Sequence, residues 1–168
     1  MKSSILACVI VAGCSGGSDK SPASAAQPAA APAAATSTNA PSACPHTGEW
    51  ALCNVEQRLK QSGFVARRLS GESSKRAGFS VTPVAYSLGH ARLEIFIYND
   101  EAALARDIAK MDTVRVAPAG VTGSWGEVTP LLIRSGNLAA VYLGDNPRQA
   151  DRVTLALTAG APQPGSPR

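Results

Sequence analysis

The sequence predicts an α+β fold: a single small domain whose mostly antiparallel sheet of about four or five strands carries helices on one face, in the order α-β-β-β-α-β-β-α. Three observations point to it. Residues 91–98 alternate Leu93, Ile95 and Ile97 against Glu94, Phe96 and Tyr98, the two-residue period of a strand. Gly89-His90 and Ser135-Gly136-Asn137 are short turns between β-rich runs, and turns this short join antiparallel neighbours. Three other segments space their apolar residues at helical intervals and carry helix start or stop residues.

The elements follow in order. Asn54-Val-Glu-Gln57 has the form of a capping box, which predicts a helix over 55–62 with Val55 and Leu59 inward and Gly63 as its stop. Phe64–Leu69 reads as a strand, and so does the β-rich stretch 79–88, where Pro83 suggests an edge or a bulge. Gly89-His90 then turns the chain into the 91–98 strand. Asp100 starts a helix to about Met111, with Leu104, Ile108 and Met111 as its buried stripe. A Pro/Gly-rich loop covers 118–126. Residues 129–134 and 138–143 form the second hairpin, and Asn146 with Pro147 opens a last helix burying Ala150, Val153 and Leu157 until Gly160.

Composition sets the domain limits. Between Ser18 and Ala43, eleven of 26 residues are Ala and four are Pro, with no large apolar side chain. Such a stretch cannot bury enough surface to offset its ordering entropy, and the prolines interrupt any alanine helix. The division is a leader at 1–13, an unstructured tether at 14–43, a globular domain at 44–158 and a frayed tail at 159–168. As a flexible coil the tether would span about 30 Å, and up to roughly 90 Å as polyproline II. Setting aside Lys2, Lys20, Arg168 and Asp19 leaves 13 bases against 11 acids. That near-balance does not argue for nucleic acid, and the aromatics are not interleaved with bases as in stacking platforms.

The leader has Lys2, an apolar run from Ile5 to Ala12, then Gly13 and Cys14. This is the layout of a secretory signal peptide, and its run is far short of the ~20 apolar residues that span a bilayer. Val11-Ala12-Gly13-Cys14 resembles the lipobox of bacterial lipoproteins. The resemblance implies diacylglyceryl transfer to Cys14, cleavage before it, and acylation of the new amino terminus. With Ser15 following, it also implies a lipid-anchored place in the cell envelope, at the outer membrane facing the periplasm. One acyl chain binds a membrane only marginally, so two or three would make the attachment durable.

With Cys8 in the leader and Cys14 lipidated, Cys44 and Cys53 remain, and in an exported domain they are expected to form one disulfide. The alternative is a metal or redox site with His46 between them, although the spacing matches no zinc pattern. His90, in a turn, is expected to be solvated. There is no Gly-x-Ser-x-Gly, His-Glu-x-x-His, Walker loop or Ser-x-x-Lys, so no catalytic residue, metal or cofactor is assigned. Two features are candidates for a binding surface. Arg58, Lys60, Arg67, Arg68, Lys75 and Arg76 stand against Glu72 alone across 58–76, a solvated basic face suited to an acidic polymer or envelope protein. Trp125 sits in a Gly-rich loop and either packs back on the domain or meets a ligand. The expected function is that of a small lipid-anchored binding or structural domain; the alternative is a small envelope hydrolase.

Overall fold

The computed structural model describes residues 44–123 and 125–165; the leader, Cys14 and the tether lie outside them. Helix α1 (Leu52–Gln61) is followed by β1 (Arg67–Arg68), β2 (Val84–Leu88) and β3 (Ala91–Ile97). Then come α2 (Glu101–Ile108), the short strands β4 (Met111–Asp112) and β5 (Ala117–Pro118), β6 (Leu131–Ser135), β7 (Leu138–Leu143) and α3 (Pro147–Thr158). Five strands form one wholly antiparallel sheet in the order β1-β2-β3-β7-β6. The α+β class and the antiparallel sheet are as the sequence predicts.

Two cores lie on opposite faces of this sheet. On one, Leu93 and Ile95 of β3 join Tyr86, Leu88, Ile133 and Tyr142, closed by Val55 and Leu59 of α1 and Val153 and Leu157 of α3. On the other, Phe96 of β3 and the following Tyr98 meet Phe79, Leu104 of α2, Met111, Val116, Trp125 and Val141. Phe79 and Phe96 stack with ring centroids 3.8 Å apart. Each fully buried aliphatic or aromatic side chain is worth about 1.5–3 kcal/mol over its exposed state. The expectation of helices on one face therefore holds for α1 and α3, whereas α2 covers the other. Phe96 and Tyr98, set against Leu93, Ile95 and Ile97 in the alternation, are what the second core is built on.

Local chemistry accounts for the boundaries. Asp100 Oδ1 accepts from the Ala103 N–H at 2.6 Å and Asn146 Oδ1 from the Gln149 N–H at 3.2 Å, capping α2 and α3 as expected. Helix α1 begins earlier than the sequence suggests. Asn54 is its third residue, and its Oδ1 accepts the Ala51 N–H at 3.0 Å while Nδ2 donates to the Pro45 carbonyl at 3.0 Å. Helix α2 stops at Ile108, and Met111 instead pairs with Pro118 in the two-stranded β4–β5 ribbon. Gly136-Asn137 alone make the second hairpin loop, because Ser135 pairs with Leu138.

The segment after α3 is not a frayed tail in its described part. The Gly48 N–H donates to the Pro162 carbonyl at 3.0 Å, Arg58 donates to the Gly160 carbonyl at 3.1 Å, and Ala161 packs on the first core. Asn137 ties the same end of the domain together. Its Oδ1 accepts the Trp50 N–H at 2.7 Å, and Nδ2 donates to the carbonyls of Trp50 at 3.1 Å and Tyr98 at 2.8 Å. The buried amide thus satisfies both backbone groups of Trp50.

Candidate functional site

The domain's basic and apolar surfaces meet beside β1. Gly63, at φ +77°, ends α1 and throws the chain outward. Phe64 turns into the core and Val65 is left 75% exposed. Between α1 and β1 runs a groove of roughly 470 Å³. Phe64, Val65, Ala66 and Tyr86 make it apolar, and Glu56, Lys60 and Arg68 rim it. Among the described residues Glu56 is the one acid on this rim, and it accepts the Tyr86 hydroxyl at 2.5 Å. Burial first, and that carboxylate second, push the Tyr86 phenol well above its ordinary range, with Arg68 opposing them. Tyr86 is therefore a neutral donor at any physiological pH.

A second cavity of roughly 490 Å³ shares Phe64 and Val65 with the first. Asp145, Arg148 and Arg152 bring charge to it, and His90 also lines it. The Arg152 guanidinium lies 4.7 Å over the Phe64 ring and donates to the Ser62 carbonyl at 2.6 Å. His90 is exposed in its turn. The segment 63–66 is thus flanked by two clefts whose charged linings are mainly basic.

The candidate basic residues divide in two. Arg67 and Arg68 are exposed on β1, at the edge of the sheet, and Lys75 is exposed in the β1–β2 connection. Arg76 departs from the expected solvated face. It reaches back to Glu94 of β3, donating Nε at 2.8 Å and Nη2 in a second, shorter contact. Arg92 Nε adds a third bond at 2.9 Å, and Arg92 also pairs with Glu72. The Arg76–Glu94 hydrogen bond, against the penalty of burial, raises the Arg76 pKa further.

Trp125 belongs with this cluster and not with a ligand surface. It is 9% exposed, its Nε1 donates to the Val116 carbonyl at 2.9 Å, and Arg76 lies 4.8 Å over its ring. The carbonyl it holds belongs to a valine at φ +51°, a left-handed conformation that β-branched side chains rarely adopt. Sequence reasoning placed Glu94 only as one member of an alternation, with Phe96 and Tyr98, and so missed the cluster. An acid between Leu93 and Ile95, in the same alternation set as Phe96 and Tyr98, was the signal that could have found it.

Cys44 and Cys53 stand at disulfide distance, with Cα atoms 5.7 Å apart. Among the described residues no three His, Cys, Asp or Glu side chains gather so as to hold a metal ion, and His46 completes no such group with the cysteines. No helix among them is long and apolar enough to cross a membrane. Cys14 lies outside the described residues. No protein-family model, curated protein or solved structure matches the chain.

Proposed function

We propose that this is a lipid-anchored cell-envelope protein, held through Cys14 at the outer membrane and facing the periplasm, whose domain binds an acidic envelope partner along the groove between α1 and β1. One observation carries the binding reading: an apolar groove rimmed by Lys60 and Arg68, whose only acid among the described residues is already engaged by the Tyr86 hydroxyl. Apolar floor with basic rim suits a ligand that presents both methylene surface and carboxylate or phosphate. The alternative, a hydrolase, needs a nucleophile with a base in reach. Glu56 and the phenol of Tyr86 form a mutually satisfied pair instead.

The anchoring reading rests on Lys2, the apolar run to Ala12 and Val11-Ala12-Gly13-Cys14. A Cys44–Cys53 disulfide is in keeping with export to an oxidising compartment. Detergent phase separation with mass analysis tests the anchor. Wild-type protein should partition into the detergent phase carrying acyl mass and Cys14→Ser should not; an unmodified wild-type mass refutes it. Arg67→Glu/Arg68→Glu should lower retention on isolated envelope material and flatten its salt dependence. Unchanged retention refutes the groove.

A further inference from the structure

Among the described residues β1 is an outer strand, with β2 as its one hydrogen-bonded neighbour. Arg67 pairs with Ser87, Arg68 with Tyr86, and the Leu69 N–H donates to the Ala85 carbonyl at 2.8 Å. In an antiparallel ladder alternate residues turn their backbone groups to the same neighbour. Arg67 and Leu69 face β2, so the N–H and C=O of Arg68 face outward, and Ala66 precedes the paired residues in the chain. Charged side chains on such an edge commonly guard against unwanted pairing. Here, however, the edge runs beside an apolar groove and continues into Val65, 75% exposed.

Resting on the binding reading above, we infer that the β1 edge takes up an extended acidic peptide segment of a partner protein as an added strand. The ladder would be completed at Arg68. Neighbours in a strand project to opposite faces, so acidic residues of the incoming segment would answer Arg67 on one side and Arg68 with Lys60 on the other. Its apolar residues would cover Val65 and the floor made by Phe64 and Tyr86. Charge also selects against a second copy of this chain. Pairing β1 with itself sets two arginines against two arginines, and like charges across a ladder repel. A polyanion without amides could meet the bases but could not complete the ladder.

The probe is a capped hexapeptide with two central glutamates flanked by valines, titrated into isotope-labelled full-length protein and followed by amide NMR. Two further versions carry N-methyl groups on alternate backbone nitrogens, in the two alternative phases, at unchanged charge. The peptide should shift the amide of Arg68 and slow its hydrogen exchange. One N-methylated phase should bind at least tenfold more weakly, while the other keeps its affinity, because a strand offers one edge to its neighbour. Arg67→Glu/Arg68→Glu should lose the peptide at least tenfold. Equal binding by both phases overturns strand addition yet leaves an anionic groove. Binding of polyphosphate alone overturns the peptide and keeps the acidic ligand. Binding by neither removes the groove reading as well.

Discussion

Removing the Arg76 guanidinium should unbalance the protein more than removing the carboxylate it serves. The Glu94 side chain is 1% exposed, whereas those of Arg76 and Arg92 are 21% and 27% exposed. Arg76→Ala deletes two of the three charge-assisted bonds to a carboxylate that cannot turn to water. Breaking a buried ion pair from one side costs about 3–5 kcal/mol, and Arg92 remains, so the lower end applies. Loss of the guanidinium over Trp125 adds roughly 0.5–1 kcal/mol. About 3–4 kcal/mol in a domain of this size corresponds to a fall in Tm of roughly 10–15 °C. Glu94→Met removes the buried charge and leaves two arginines able to reach solvent, for about 1 kcal/mol. Arg76→Met/Glu94→Met should return to within ~1 kcal/mol of wild type, since apolar replacement of a buried pair is often near neutral. Equilibrium urea unfolding, followed by the fluorescence of Trp50 and Trp125, measures all three. If Arg76→Ala costs under 1 kcal/mol, or Glu94→Met costs as much as Arg76→Ala, burial of the carboxylate is not what governs this cluster.

Asn137→Ala should destabilise by about 2–4 kcal/mol, because it orphans the Trp50 N–H and two carbonyls at a buried site; urea unfolding with an unchanged m-value checks it. Asp107 gives the acid limb of stability a defined sign. Burial opposes its ionisation, but the N–H and hydroxyl of Ser80, the Tyr98 hydroxyl and Lys110 outweigh it and hold the carboxyl below its ordinary range. Its contribution is thus present above the ordinary carboxylate pKa and lost as pH falls through the folded value, so Asp107→Asn should flatten a Tm-versus-pH curve below about pH 4. Freshly isolated protein should contain no titratable thiol at Cys44 or Cys53. Reducing the pair should cost up to ~2.7 kcal/mol by loop entropy, read as a lower Tm in reductant.

Period and caps made much of this domain legible in one dimension. Strand β3, the Gly89-His90 turn, Asp100 and Asn146 as helix starts, and the inward stripes of α1 and α3 are all local signals, and the structure keeps them. The class followed because short turns between alternating runs leave little but an antiparallel sheet. What depended on residues far apart in the chain was not legible. Alternation shows that a strand has two faces but not that both are covered, and only packing of α2 with Phe79, Met111 and Trp125 made Phe96 and Tyr98 core. Arg76 reads as one base among six until the fold brings it to Glu94, eighteen residues away, where burial turns a surface charge into half of an ion pair. Asn137 reads as a turn residue until Trp50, 87 residues earlier, arrives with a backbone that needs partners. The groove beside β1 was half visible, in its bases. Its apolar floor was settled by tertiary structure, because Phe64 and Tyr86 become neighbours only when α1 lies across the sheet.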